Sequence, residues 1–285
     1  MKVAVIGSNG QLGCDLCSVF SEESLVVALT HRDIEIGDDT SCKKLLDYKP
    51  NIIINTAAFH NVPKCEEDPQ NSFQVNALGA LNIAAISAQL DAILVHISTD
   101  YVFSGEEKRP YTESDLPEPV NVYGVSKLAG EHLVKMAWEK SFIIRTSGLY
   151  GEHKCRAKER NFAETMVHLA QQKREIKVVT DEFLTPTYTL DLANQIKELV
   201  KTDAYGLFHA TNEGSCSWYE FAKTIFNKLK LPVEVLPVSS TEFPSKVRRP
   251  GYSVLENTHL KKINCSFMRP WQEALTEYVS RAHLV

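Results

Sequence analysis

The chain has 285 residues, 44% hydrophobic and 24% charged, with a formal net charge of −5 and a pI near 6.0. That length suits one large α/β unit with a smaller lobe and is ample to bury a core. The acidic balance argues against a general nucleic-acid surface, and no apolar run approaches the ~20 residues that span a bilayer.

The chain begins directly with a strand and has no charged-then-apolar leader, so a cytoplasmic location with no membrane partner is expected. Seven scattered cysteines read as reduced thiols and not as a disulfide framework. Cys14 and Cys17 form a C-x-x-C, but they fall in a helix after a glycine loop without a second ligand pair. Packing is their expected role.

Lys2 to Ile6 are mostly apolar, as in a strand buried on both faces, and Gly7-Ser8-Asn9-Gly10-Gln11-Leu12-Gly13 follow at once. Strand, glycine loop and helix in that order make a dinucleotide-binding turn. The glycines permit the turn and close backbone approach, and the helix N-terminus offers free N–H groups to a pyrophosphate. Gly7, Asn9, Gly10, Gln11 and Leu12 are therefore candidate cofactor contacts.

Leu25 to Leu29 give a second strand. Arg32 follows about 20 residues after the loop, where an acidic residue would otherwise bind an NAD ribose. Arg32 favours the 2′-phosphate of NADP, with NADH still open because Asp33 is adjacent; an exposed loop arginine is the alternative. A helix over 41–48 leads to a third strand at Ile52 to Ile54. Asn55, Thr56, Ala57 and Ala58 then let a cofactor lie against the backbone.

A long Ala-rich helix over 72–90 carries Asn76, which has two readings, a contact to the reaction centre or a bond to backbone. The fourth strand, Ile93 to Ile97, runs into Ser98-Thr99-Asp100-Tyr101. Tyr123 and Lys127 lie one turn apart on the next helix, which places the ammonium where it can lower the phenol's pKa. The Tyr-to-Lys spacing occurs three times in the chain. Tyr150 with Lys154 and Tyr219 with Lys223 lack a preceding buried strand with a hydroxyl-rich end, so they read as surface pairs. Thr99, Tyr123 and Lys127 together suit carbonyl reduction.

A fifth strand at Phe142 to Arg145 completes a regular strand-helix alternation, which forces a parallel sheet with right-handed crossovers. The second half reads as a helix over 161–172, a strand over 176–179, a helix over 190–200, a strand over 206–210 and a helix opened by a Ser217/Glu220 capping box. A broken stretch over 232–250 contains four prolines, and a helix closes the chain over 271–282. The expected fold is thus α/β: a Rossmann-type doubly wound parallel sheet with a smaller C-terminal substrate-binding lobe. Residues 1–147, plus about 178–205, form the dinucleotide-binding domain; residues 148–177 and 206–285 form the lobe. Arg248-Arg249-Pro250 reads either as a diphosphate clamp or as surface arginines before a turn. The basic run from His153 to Arg160 likewise reads as a solvated loop or a ligand contact.

The glycine spacing resembles the short-chain dehydrogenase/reductase superfamily. Ordered matches extend over nearly the whole chain, at Gly7 to Gly13, His96 to Phe103, Asn121 to Glu131, Pro186-Thr187-Tyr188, Ser217 to Ala222 and Arg248-Arg249-Pro250. Together they resemble the dTDP-4-dehydrorhamnose reductase family. The resemblance implies NAD(P)H-dependent reduction of the 4-keto group of dTDP-4-dehydro-L-rhamnose to dTDP-L-rhamnose. Thr99, Tyr123 and Lys127 would be catalytic, with Tyr123 and Lys127 also touching the cofactor; Asp100 and Tyr101 would line the sugar pocket, and Asn161 and Arg248 would reach the diphosphate. A homodimer is the family expectation. Asp15, Glu66 and Glu67 are isolated carboxylates with no ligand pattern, so no metal ligands are assigned and Mg2+ would require packing between subunits.

Gly148 departs from this pattern, because family members commonly carry a tryptophan there that packs on the sugar. Either Phe183, Tyr188 or Tyr252 closes the pocket instead, or the substrate is another nucleotide-linked 4-keto-6-deoxy sugar. Thr99-Asp100-Tyr101 lacks the acid of a dehydratase's Thr-Asp-Glu. An epimerase would favour an acidic residue after the second strand. The non-catalytic alternative resembles the NADP-binding regulatory subunit of methionine adenosyltransferase, and the intact Thr99, Tyr123 and Lys127 favour the enzyme over it.

Overall fold

Strands whose side chains are apolar on both faces cannot sit at a wet edge, and three of them here are almost wholly buried. They are β1 (Lys2–Ile6), β3 (Ile52–Asn55) and β5 (Ser141–Thr146). With β2 (Leu25–Leu29), β4 (Ile93–Thr99) and β6 (Gly206–His209) they form a six-stranded sheet in the order β6-β5-β4-β3-β1-β2. Every pairing in it is parallel. In this computed structural model all residues are described except 155–159, 244–246, 283 and 285. Arg156 and Lys158 of the basic run, and Pro244 of the broken stretch, lie outside the described residues.

Helix α1 (Gln11–Ser21) covers one face of the sheet with α5 (Thr189–Leu199), burying Leu12, Leu16, Phe20, Ile196 and Leu199 against Val3, Val5 and Ile54. On the other face α2 (Gly79–Leu90) and α3 (Val122–Ala137) bury Ala80, Ile83, Ala84 and Val134. The chain runs from β1 out to β2 and then returns past β1 to β3. The topological switch therefore lies between β1 and β3, and ligands bind outside the carboxyl ends of strands at such a point.

The smaller lobe is built from α4 (Phe162–Ala170), α6 (Trp218–Leu229) and α7 (Trp271–Arg281) around Tyr150, Tyr188, Phe221, Trp271 and Tyr278. A parallel strand pair joins it, with Val178 opposite Pro237 and Val179 opposite Val238. Both ends of the expected division are therefore displaced. Residues 178–179 belong to the lobe, while residues 206–209 extend the main sheet beside β5. In the apolar run Leu207-Phe208, beside β5, Phe208 packs on α5's side of the sheet and Leu207 on the opposite face, which is what draws the run there.

Candidate active site

Three elements converge on one cavity of about 340 Å³ outside the ends of β1 and β4, within the size range of small-molecule sites. β4 ends in Thr99 and α3 begins one residue before Tyr123. The Asn121 side chain starts α3 by accepting the Gly124 N–H at 2.9 Å, and its amide donates to the Arg248 carbonyl at 3.0 Å. Helix start and C-terminal segment are thereby fixed to each other.

Thr99, Tyr123 and Lys127 all line the cavity. The Thr99 hydroxyl donates to Asp100 Oδ1 at 3.1 Å, accepts the Tyr101 N–H at 3.2 Å and lies in hydrogen-bond contact with the Tyr123 phenol. One expectation is corrected here. The Tyr123 pKa is raised, not lowered: burial pushes it up, with the Thr99 contact opposing. The Lys127 ammonium turns the other way, donating to the Ile97 carbonyl at 2.7 Å and meeting His96 Nε2 at 3.3 Å. Burial pulls its own pKa down to about 8, with Glu131 opposing. Tyr123 is thus held as a neutral phenol, the form that donates a proton.

Asp100 sits against the same oxygens, accepting hydrogen bonds from Ser253 Oγ at 2.5 Å, Ser147 Oγ at 2.8 Å and Thr99. Burial raises its pKa, and the three hydroxyls counter that rise. Tyr101 meets Tyr123 edge to face at 5.8 Å, and its phenol is also pushed up by burial, with Arg249 the largest opposing charge.

The chemistry at Gly148 is steric. Its φ is +55°, and a Cβ there would stand 2.6 Å from Leu184 Cδ1, so the Leu184 side chain fills the space that a side chain at 148 needs. Phe183 lines the cavity and tilts against Tyr252 at 6.0 Å. Tyr188 does not serve, because it is fully buried in the lobe core beside Tyr150. Trp218 and Phe162, 4.4 Å apart, form a further aromatic wall of the cavity.

The cofactor side fits a dinucleotide. Gly7 has a φ of +78°, and a Cβ on Gly13 would fall 2.1 Å from the Gly7 carbonyl oxygen, so loop and helix touch through bare backbone. Helix α1 has Gly10 as its N-cap with no side-chain cap bond, leaving its first amides to a phosphate. Gly7, Gly10, Gln11, Leu12 and Ala58 line the cavity, whereas Asn9, Arg32, Asn55 and Ala57 do not. Asn55 is turned inward: its Oδ1 accepts the Ala57 N–H at 3.1 Å and its Nδ2 faces His96 Nδ1 at 3.4 Å. Asp33 is held back by Thr30, whose N–H and hydroxyl donate to it at 2.8 and 2.7 Å. The exposed Arg32 is left as the charged side chain at the β2 tip that is open to a ligand.

Two expected diphosphate contacts sit differently. Asn161 lines the cavity, but its side chain caps α4, accepting the Glu164 N–H at 2.9 Å and donating to Gly151 O and Tyr278 Oη. Arg248 is exposed, lies off the cavity and pairs with Glu106 at 3.0 Å. Its neighbour Arg249 is the cation that acts on Tyr101 and Glu182, and Arg160 also lines the cavity. Residues the sequence reading missed include Glu182, Ser147, Ser253 and His96. Of these His96 carried a signal, an ionisable residue inside an apolar, buried strand.

Asn76 clasps the Phe59 backbone, accepting its N–H and donating to its carbonyl. Tyr150 is buried, not a surface partner for Lys154, while Lys223 lies over the Tyr219 ring. The six described cysteines form no disulfide, and burial pushes Cys17 up to about 11, which makes it a poor nucleophile. Among the described residues no cluster of three His, Cys, Asp or Glu side chains could hold a metal ion, and no helix is long and apolar enough to cross a membrane.

Residues 1–284 match the family described as RmlD substrate binding domain. A dTDP-4-dehydrorhamnose reductase from Clostridium acetobutylicum ATCC 824 superposes with a TM-score of 0.94 at 40% identity, covering 98% of this chain and 99% of that one. The dTDP-4-dehydrorhamnose reductase of Bacillus anthracis str. Ames, solved in complex with NADP, has a TM-score of 0.92 at 39% identity, covering 97% and 98%. The dTDP-4-keto-6-deoxy-D-glucose reductase of Streptomyces niveus is 38% identical over 96% of this chain and 94% of its own length. With these matches spanning both the sheet and the lobe, the chain belongs to the dTDP-4-dehydrorhamnose reductase family.

Proposed function

We propose that this protein reduces the 4-keto group of dTDP-4-dehydro-L-rhamnose to give dTDP-L-rhamnose, using NADPH. The observation that carries the reading is the neutral Tyr123 phenol, half-buried in the cavity wall and in contact with Thr99 beside a dinucleotide loop. The reduced nicotinamide, when bound, supplies hydride to the sugar carbon. Tyr123 Oη protonates the oxygen that develops negative charge, and the Thr99 hydroxyl hydrogen-bonds the same oxygen. Lys127, charged below about pH 8, would hold the nicotinamide ribose and favours the anionic phenol once its proton has gone.

Asp100 fixes the Thr99 hydroxyl, and Tyr101, Phe183 and Leu184 shape the sugar pocket. Arg160, which lines the cavity, and Arg249, beside Tyr101 and Glu182, are the cations available to a diphosphate. Arg248 contributes to that end through its backbone, tied to Asn121. The NADP complex of the Bacillus anthracis relative and the bare guanidinium of Arg32 support NADPH over NADH. The pI near 6.0 supports a cytoplasmic enzyme that binds neither nucleic acid nor membrane, and family membership supports a homodimer.

A second reading is favoured by Gly148. The Streptomyces niveus relative is named for a keto sugar of the D-gluco series, and a pocket walled by Leu184 in place of a residue-148 side chain suits an altered ring face. The test is the loss of reduced-nicotinamide absorbance with each keto sugar, using NADPH and NADH side by side. Turnover of the L-rhamnose precursor that falls about 10²- to 10⁴-fold in Tyr123→Phe supports the first reading. Turnover of the D-gluco ketone alone supports the second, and NADPH binding without turnover of either contradicts both.

A further inference from the structure

Lys127 is gripped from below by a polar chain that the reduction itself does not require. The chain starts at a backbone amide, and a backbone N–H can only meet an oxygen. The Ala57 N–H therefore fixes Asn55 Oδ1 at 3.1 Å, which leaves the Asn55 NH2 facing His96 Nδ1 at 3.4 Å. Facing a donor, Nδ1 must be the bare nitrogen, so the single proton of a neutral imidazole sits on Nε2. That nitrogen stands 3.3 Å from Lys127 Nζ.

The imidazole is neutral because it is sealed in. His96 is 1% exposed and Asn55 1% exposed; burial and the nearby lysine both push the His96 pKa down. We propose that His96 is a positioning residue for the reduction: locked by Asn55 with its proton on Nε2, it points an N–H at Lys127 and weakens that lysine's hold on its own proton.

Other groups around Lys127 do not duplicate this. On α3, Tyr123 lies one turn before it and Glu131 one turn after. Glu131 pulls in the opposite sense, but its carboxylate is already occupied by Arg145 of β5, at 2.9 and 2.6 Å, and by Ser98 Oγ. On β4, the Ile97 carbonyl accepts from Nζ at 2.7 Å, and Asp100 is spent on Thr99, Ser147 and Ser253. His96 is the group that offers Nζ a donor.

The consequence is a graded proton pair. When Tyr123 gives its proton to the new hydroxyl, the phenolate left behind is the stronger base, and a proton from Lys127 restores the phenol. The resulting neutral amine accepts the His96 N–H until solvent recharges it.

The inference rests on the reductase reading for its purpose, but its test needs no substrate, so failure of turnover and failure of this proposal are separable. In protein labelled with 15N-histidine, the ring nitrogens of His96, assigned by their loss in His96→Phe, should show the proton on Nε2. A proton on Nδ1 overturns the proposal. In protein labelled with 13C-lysine, the Lys127 side chain should titrate at least one pH unit higher in Asn55→Asp, about a tenfold gain in proton affinity. There the carboxylate accepts from Nδ1 and turns a lone pair toward Lys127. An unchanged or lower titration overturns the proposal, and should Asn55→Asp fail to fold, the tautomer measured in the wild-type protein decides it.

Discussion

Tyr123 and Lys127 were legible as a pair from their spacing, yet their division of labour was not. Spacing fixes which side chains share a helix face, but only the packed environment decides that Nζ turns to Ile97 and His96 and that the phenol's pKa is raised. The pH profile should follow. Because the phenol's pKa is raised, it stays protonated across the working range, and the alkaline loss of kcat/KM belongs to Lys127. Activity should be full below about pH 8 and fall as the pH rises through it; a first loss only above pH 10 would contradict this assignment.

The same shift has a stability sign. The folded-state pKa of Lys127 is depressed from 10.5 to about 8, so between those values the unfolded chain binds more protons and stability increases with pH. Below pH 8 the buried charge is a fixed cost. Lys127→Met should therefore unfold at higher urea than wild type at pH 7, with the difference shrinking toward pH 10, while being inactive. A variant less stable at both pH values would sink this argument. Gly148 was legible as a departure, but the answer to it, Leu184, came from a different strand and left no local trace.

At the scale of elements, the sequence was most readable where side chain and backbone interact locally. The Ser217/Glu220 box stands as expected at the start of α6. Asn161 with Glu164 forms the same kind of box on α4, and its spacing carried that signal; this accounts for the Asn161 amide being occupied. What could not be read is how elements are pinned across the sheet. Glu131 of α3 is bound by Arg145 of β5 and Ser98 of β4, with both ionic partners buried. The guanidinium also lies 5.1 Å from the Phe103 ring. Removing one partner strands a buried charge, so Arg145→Met should cost roughly 3–5 kcal/mol in chemical denaturation. A loss under about 1 kcal/mol would mean that the carboxylate simply takes up a proton.

At the scale of the whole molecule, alternation of strand and helix was enough to give a parallel sheet and to gather the loops on one edge, because handedness and crossover rules leave few other topologies. The lobe's composition was harder, since β6 and the pair formed by 175–179 and 234–238 depend on contacts distant in sequence. The cofactor preference also belongs to this scale, as it depends on where the β2 tip stands relative to the switch point. Arg32→Ala should raise KM for NADPH about tenfold and leave NADH nearly unchanged; equal effects on both would remove Arg32 from the 2′-phosphate.

The most direct measurement of the central claim follows the hydrogen itself. NADPH deuterated at the transferring C4 position is incubated with the protein and dTDP-4-dehydro-L-rhamnose, and the product sugar is read by NMR. The account predicts dTDP-L-rhamnose carrying deuterium at C4 of the sugar, with the hydroxyl proton drawn from solvent through Tyr123. Product without the label at that carbon, or consumption of NADPH with no labelled sugar, would contradict it.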